Sequence, residues 1–308
     1  MPSNPLIIIL GATASGKTHL AVNLAHRLKG EIISADSRQV FKQMDIGTGK
    51  DLNEYHINGQ TIPYHLIDIL NPGEKYNVNA FKEDFYHAFE TITQKGRLPI
   101  LCGGTGMYIH SLLQNQEYTA VPVNESLRQT LELQSKEELI SHIKSIPDQE
   151  HVDLNSKKRL IRAIEISEYL KDHNLEIIKR PEFNPVVLGL KNTVEITRAK
   201  ILKRLDERLS AGMIEEVETL LRLGISDEML IFYGLEYKFI AHYLAGALSY
   251  EDLKLKLGIA ICQFAKRQST FFRKMEKDGV KINWLNASEE NDLLKEEAFK
   301  LLGSEGII

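Results

Sequence analysis

Two short runs near the start of the sequence carry residue types that do chemistry. Gly11-Ala12-Thr13-Ala14-Ser15-Gly16-Lys17-Thr18 satisfies the Gly-x-x-x-x-Gly-Lys-Ser/Thr pattern of a P-loop. Its glycines let the backbone wrap so that several N–H groups point inward, and the start of a following helix adds partial positive charge. Lys17 adds a full charge, and the Thr18 hydroxyl can ligate a magnesium ion. Together they suit a di- or triphosphate. The second run, Ser34-Ala35-Asp36-Ser37-Arg38-Gln39, brings a carboxylate. A carboxylate does not bind an anion, so beside a diphosphate Asp36 can ligate magnesium or take a proton from an attacking nucleophile. Ser37, Arg38 and Gln39 offer hydrogen bonds to a nucleobase or phosphate. The competing reading of Asp36 is a cap on the next helix, with Ser37 in its first turn.

The elements around these runs must place them at one edge. Leu6 to Leu10 is a short, continuous apolar run, the pattern of a strand buried on both faces of a parallel sheet. After the glycine-bounded loop, Leu20, Leu24 and Leu28 recur at helical spacing. Glu31 to Ser34 reads as a second strand, with Asp36 just past its end, and His65 to Ile69 as a third. Phe81 to Thr93 has helical periodicity, and Leu98 to Cys102 is a strand running into Gly103-Gly104-Thr105-Gly106. This alternation predicts an α/β fold with a doubly wound parallel sheet, whose carboxyl edge binds ligands. From about Gln114 to Arg180 strand patterns vanish, and 126–146 and 157–170 read as charged helices. Val186 to Leu190 then resumes the strand pattern, 198–223 and 250–277 read as long helices, and 280–285 as a last strand. The predicted organisation is therefore a core of residues 1–113 and 181–308, interrupted by a helical insertion at 114–180.

Composition narrows the class. The chain has 308 residues, 43% hydrophobic and 26% charged, enough for a sizeable core with an ordinary soluble surface. A net charge of −4 means that any nucleic-acid face must come from local clusters. Three basic clusters exist: Lys157, Lys158, Arg159 and Arg162; Lys266, Arg267, Arg273 and Lys274; and Arg198, Lys200, Lys203, Arg204 and Arg208. Two distant cysteines, Cys102 and Cys262, give neither a zinc site nor a disulfide framework, which fits a reducing cytoplasm. No run is long enough to span a bilayer, and no signal peptide is evident.

Taken together, the motifs resemble the tRNA dimethylallyltransferases. The P-loop at 11–18 is similar to theirs, as is Ser34 to Gln39 followed by Met44-Asp45-Ile46-Gly47-Thr48-Gly49-Lys50, with Phe41 where the family has tyrosine and Asp51 where proline is usual. Tyr64-His65-Leu66-Ile67-Asp68, Pro99 to Tyr108, Arg159 to Glu165 and Ala265-Lys266-Arg267-Gln268 resemble further family signatures, in the family's order. The chain departs at Glu236, where the family's Gly-Tyr-Lys has its glycine, and at Cys262-Gln263, which replace Thr-Arg. His151 to Ser156 matches a family His-Pro-Asn-Asp only loosely. The zinc finger of eukaryotic members has no counterpart, so the resemblance is to the bacterial type.

The resemblance implies transfer of a dimethylallyl group from dimethylallyl diphosphate to the exocyclic amine of the adenosine 3′ of the anticodon in tRNA. It implies that the P-loop holds the diphosphate, that Asp36 takes the amine proton, and that Thr105 adds a hydrogen bond near the reacting centre. A diphosphate-contacting arginine is expected on the helix before Gly212-x-x-x-Glu216; a gapless register selects Arg204 for this role and leaves Arg208 nearer solvent or RNA, whereas the Arg-Leu-Asp-x-Arg pattern selects Arg208 at the cost of deleting a helical turn, and the two residues, four apart, share a face. Contacts to the tRNA anticodon stem-loop are expected from Asp36, Ser37, Arg38, Gln39 and Thr105, and from Lys158, Arg159, Leu160, Ile161 and Arg162. The implied ion is Mg²⁺, at Thr18. No obligate protein partner is evident. The alternatives are a P-loop small-molecule kinase, a prenyltransferase acting on free adenine nucleotide, and a non-catalytic RNA-binding protein with a relic P-loop; intact Lys17, Thr18 and Asp36 argue against the relic.

Overall fold

The computed structural model describes residues 4–114, 116–147, 152–175, 179–288 and 291–308. They form two compact units, 1–113 with 181–308, and 114–180, as the change of pattern at 114 and 180 predicts.

The larger unit opens with β1 (Pro5–Gly11), α1 (Lys17–Leu28) and β2 (Gly30–Ser34). A small antiparallel hairpin, β3 (His56–Ile57) and β4 (Gln60–Thr61), precedes β5 (Tyr64–His65). Then come α2 (Val78–Gln94), β6 (Leu98–Gly103) and α3 (Gly106–Leu113). The smaller unit holds α4 (Glu125–Glu132), α5 (Lys136–Lys144) and α6 (Lys157–Asp172). The larger unit resumes with β7 (Asn184–Lys191), α7 (Val194–Ser210), α8 (Met213–Arg222), α9 (Asp227–Tyr233), α10 (Leu235–Leu244), α11 (Tyr250–Lys277), β8 (Ile282–Asn286) and α12 (Asn291–Ser304).

The main sheet runs β5-β2-β6-β1-β7-β8, and each pairing is parallel. From β1 the chain moves past β6 to β2, whereas from β6 it moves past β1 to β7. The order therefore reverses at the β1–β6 boundary, where open α/β sheets bind ligands beyond the carboxyl ends of their strands. β1 is central because its residues can be buried on both faces. Leu6, Ile8 and Leu10 enter the layer built with α2, α3 and α7–α11, while Ile7 and Ile9 enter the layer built with α1 and α12.

Three predicted elements are interrupted. The run His65 to Ile69 stops as a strand at His65, because Leu66 and Asp68 take left-handed backbone (φ 62° and 57°). That bend brings the Asp68 carboxylate to the buried Lys50 ammonium. The expected 126–146 helix breaks at Ser135, whose side chain accepts from Glu138 N while the Glu138 carboxylate accepts from Ser135 N, a complete capping box. The expected 198–223 helix breaks at Gly212 (φ 101°).

The smaller unit has its own core of Leu131, Leu139, Ile143, Leu160, Ile161 and Ile164. Glu165 is buried there, accepting from Asn124 N at 2.6 Å, from Arg128 Nη2 at 2.9 Å and from Arg162 Nη1 at 2.6 Å.

Candidate active site

Three loops meet beyond the carboxyl edge of β1, β2 and β6. In the loop after β1, Ala14 (φ 60°) and Gly16 (φ 87°) are left-handed, which turns successive N–H groups toward one side. Gly16 precedes α1 without a side-chain cap, so the first-turn N–H groups face an incoming anion. Lys17 Nζ donates to Ala12 O at 2.8 Å, folding the ammonium over the loop. Burial pulls the Lys17 pKa below the ordinary lysine value. Burial also pushes the neighbouring Cys102 thiol up to about 12, which keeps it protonated and unreactive.

The loops after β2 and β6 are tied together. Ala35 N donates to Cys102 O at 2.8 Å, Thr105 N to Ala35 O at 3.2 Å, and Ser37 N to Thr105 Oγ1 at 3.1 Å. Asp36 Oδ1 accepts from Arg38 N at 2.9 Å. Residues 37–40 form a turn and no helix begins there, so Asp36 is not a helix cap. It holds the turn with one oxygen and keeps the other for the cavity. Gln39, expected at the RNA, lines the smaller of the site's two cavities and is also held internally: its Oε1 accepts from Ser34 Oγ at 2.9 Å and its Nε2 donates to Gly49 O at 3.1 Å. The half-buried Arg38 guanidinium lies 5.0 Å from the Phe232 ring centroid.

Two cavities open here. One, about 840 Å³, runs between the P-loop, residues 45–54 and α7. The other, about 240 Å³, reaches Thr13, Asp36, Thr105, Tyr233, Glu236 and Gln268. Lys17, Thr18, Arg204 and Arg208 line both. An end lined by the P-loop, a lysine and two arginines therefore adjoins an end with a carboxylate and a hydroxyl. Burial raises the Glu236 carboxyl pKa above its usual value, so the residue that replaces a glycine of the resemblance adds a polar group to the second cavity.

The solvent-facing placement expected of Arg208 needs correction. Both α7 arginines line the cavities, because residues four apart share a helix face. The Arg208 side chain is 15% exposed against 32% for Arg204, so Arg208 is the deeper one and not the solvent-facing one. Its Nε and Nη2 are buried and make no hydrogen bond among the described residues. Both guanidiniums face Asp51: Arg204 Nη2 donates to Asp51 Oδ2, and Arg208 Nη2 lies 3.5 Å from the same oxygen.

Sequence reasoning missed two supports of this site. Gln268 on α11 accepts from Thr13 N at 2.9 Å and donates to Gly104 O at 2.9 Å, joining the P-loop to the Thr105 loop. Gly104 must lack a side chain for this, since a Cβ there would sit 2.5 Å from Gln268 Nε2. Glu216 on α8 accepts from the backbone N–H groups of Asp45, Ile46 and Gly47 at 2.7, 2.7 and 3.0 Å, and from Tyr237 Oη at 2.7 Å. The signals were the Ala-Lys-Arg-Gln run and the Gly-x-x-x-Glu pattern, each read for a different purpose.

The expected RNA residues of α6 divide. Leu160 and Ile161 are 0% and 5% exposed, so their side chains belong to the smaller core. Arg162 donates to Tyr118 O, Val121 O and Glu165 and so braces the unit internally. Arg159 is exposed but paired with Asp153, and Lys158 is exposed. His151 lies outside the described residues. Among the described residues no group of three or more His, Cys, Asp and Glu side chains is placed to hold a metal ion.

A family profile described as "IPP transferase" matches residues 39–275, and one described as "Isopentenyl transferase" matches residues 4–64. The chain belongs to the tRNA dimethylallyltransferase family. It is 49% identical over 289 residues to tRNA dimethylallyltransferase 1 of Parabacteroides distasonis, covering 94% of each chain. It is 48% identical over 302 residues to tRNA dimethylallyltransferase 2 of Porphyromonas gingivalis, covering 98% of this chain and 100% of that one. Among solved structures it resembles the full-length tRNA isopentenylpyrophosphate transferase of Bacillus halodurans, with TM-score 0.72 and 31% identity over 98% of this chain and 96% of that one. A eukaryotic dimethylallyltransferase acting on tRNA shares the fold, with TM-score 0.73 and 24% identity over 92% of this chain and 74% of that one. Membership covers both halves of the larger unit, so every loop of the cavity falls within the family's common chain.

Proposed function

We propose that this chain transfers a dimethylallyl group from dimethylallyl diphosphate to the exocyclic amine of the adenosine 3′ of the anticodon in tRNA. The observation that carries the chemistry is the cationic lining that the two cavities share, Lys17, Arg204 and Arg208, together with Asp36 and Thr105 in the smaller cavity.

In this reading the P-loop N–H groups of residues 11–18, Lys17 and the two arginines hold the diphosphate. They stabilise the charge that develops on the bridging oxygen as its bond to the dimethylallyl C1 breaks. The adenine amine nitrogen forms the new bond to C1. Its lone pair is delocalised into the ring, so it attacks well only as its proton leaves, and the free oxygen of Asp36 accepts that proton. Thr105 Oγ1 accepts from Ser37 N, which leaves its own O–H to donate near the reacting amine. The adenosine leaves its stack to enter the smaller cavity, as bases do for enzymes that act on them.

Magnesium fits on limited terms. It takes few protein ligands where phosphate oxygens and water supply the rest, and the described residues offer the Thr18 hydroxyl in the shared lining rather than a carboxylate cage. Bound there it would neutralise diphosphate charge. Cytoplasmic residence is proposed from the tRNA substrate and two free cysteines; no helix among the described residues is long and apolar enough to cross a membrane.

The test is incubation with labelled dimethylallyl diphosphate and unmodified tRNA, with AMP and ATP as competing acceptors. Label in tRNA alone supports the reading. Label in free nucleotide, or ATP-dependent phosphoryl transfer, overturns it.

A further inference from the structure

We propose that Asp51 is an internal anion that competes with the diphosphate for the paired arginines of α7. The proposal rests on the reading of this cavity as a diphosphate seat, and adds a residue that sets how tightly the seat holds.

Asp51 has no other visible employment. It stands in the N-cap position of the short turn Leu52–Tyr55, yet its side chain makes no capping hydrogen bond, so the ordinary reason for an aspartate there does not apply. Its backbone is left-handed at φ 45°, a conformation that disfavours most side chains and is impossible for proline, whose ring fixes φ near −65°. The carboxylate and the bend that aims it thus come together at the position where the resemblance has proline. The same loop is shaped around the arginines at Gly49 (φ 65°), where a Cβ would lie 1.6 Å from Arg208 Nη2.

Charge and hydrogen-bond counts make this pairing replaceable. Arg204, Arg208 and Lys17 line one cavity together with acids that include Asp51 and Glu54. Burial, and then Asp51, push the Glu54 carboxyl pKa up. Asp51 is the acid that pairs with both arginines and offsets their repulsion. Asp51 supplies one charge and one well-engaged oxygen. It bonds Arg204 but reaches Arg208 only at 3.5 Å, where Nε and Nη2 stay buried without hydrogen bonds. A diphosphate brings more oxygens and more charge and can meet those donors. Asp51 is 37% exposed on a surface loop, so its carboxylate can turn to water when displaced. The affinity measured for diphosphate is then net of breaking the Asp51 pair, and removing the carboxylate should strengthen binding.

The test uses inorganic pyrophosphate titrated calorimetrically into the full chain. Asp51→Asn should bind it about twofold to fivefold more tightly at low salt, as a partly exposed ion pair warrants, with the gain shrinking as salt rises. Asp51→Ser should do the same. The KM for dimethylallyl diphosphate should fall by a similar factor with kcat unchanged, a split that a merely structural role would not produce. In an Arg204→Gln background the gain should shrink, because the closer of the two arginine pairs is already gone. Unchanged or weaker pyrophosphate binding in Asp51→Asn and Asp51→Ser overturns the proposal, as does an equal gain in the Arg204→Gln background. If the wild-type chain does not bind pyrophosphate, or binds it no better than Lys17→Ala, the diphosphate seat itself falls, and this proposal with it.

Discussion

Asp36 tests cleanly because its two oxygens have separate jobs. Asparagine can still accept from Arg38 N, so Asp36→Asn keeps the turn and loses only proton acceptance. Turnover should fall roughly 10²–10⁴-fold with donor affinity and melting temperature nearly unchanged; a near-normal single-turnover rate would remove Asp36 as the base. Lys17 gives a pH signature. Burial lowers its pKa from 10.5, and a bound diphosphate favours the charged form, so binding is strongest below the lowered value. Affinity should decline as pH rises through it, starting on the near side of 10.5, and in Lys17→Arg that decline should disappear from the range. For the arginines, the burial order predicts that Arg208→Ala loses more single-turnover rate than Arg204→Ala. Arg208 brings two buried donors, whereas Arg204 is more exposed. The reverse ranking would favour the gapless register, with Arg204 as the principal contact.

At the scale of elements, the loop 44–50 has no regular structure of its own and is held from outside. Glu216 caps it by accepting three backbone N–H groups, and burial together with Glu216 holds the Tyr237 phenol well above its usual pKa, so it remains a donor. Glu216→Ala leaves these donors without an acceptor and should cost about 2 kcal/mol of stability, seen as a lower urea midpoint. Glu216→Gln should recover part of it. An unchanged midpoint for the alanine variant would mean that water replaces the carboxylate at no cost. Lys50 secures the other side of the loop. Fully buried, it donates to Phe41 O at 2.7 Å and pairs with Asp45 and Asp68. Gln268 does for the P-loop what Glu216 does for this loop, from a helix more than 250 residues away in sequence.

At the scale of the whole molecule, the two units answer to different tests. In 114–180, Arg162 braces the buried Glu165 and Lys158 is exposed. Arg162→Ala should therefore lower the melting temperature, while Lys158→Ala should leave it unchanged. Lys158→Ala should also flatten the slope of log affinity against log salt, for an anticodon stem-loop, by roughly 0.7–0.9, the share of one phosphate contact. An unchanged slope would take Lys158 out of the interface.

The strand-loop-helix of 5–28, the unit boundaries at 114 and 180 and the Asp36 and Thr105 loops were legible in the sequence. Each rests on local information: an apolar run, a glycine pattern, a change of period. The breaks at Ser135 and Gly212 were written there too, as a capping box and a glycine, but were outweighed by the longer helical period around them. What the tertiary structure alone decided is which side chains meet. Leu160 and Ile161 match a family signature, yet helical packing turns them into a core. Gln268 and Glu216 acquire their roles only when distant helices lie against the sheet's carboxyl edge. Arg204 and Arg208 are equivalent by helical spacing, and packing between elements leaves Arg208 deep, with Gly49 against its guanidinium, and Arg204 shallower. Spacing fixes a residue's direction on its own element; what lies in that direction is set by packing between elements far apart in the chain.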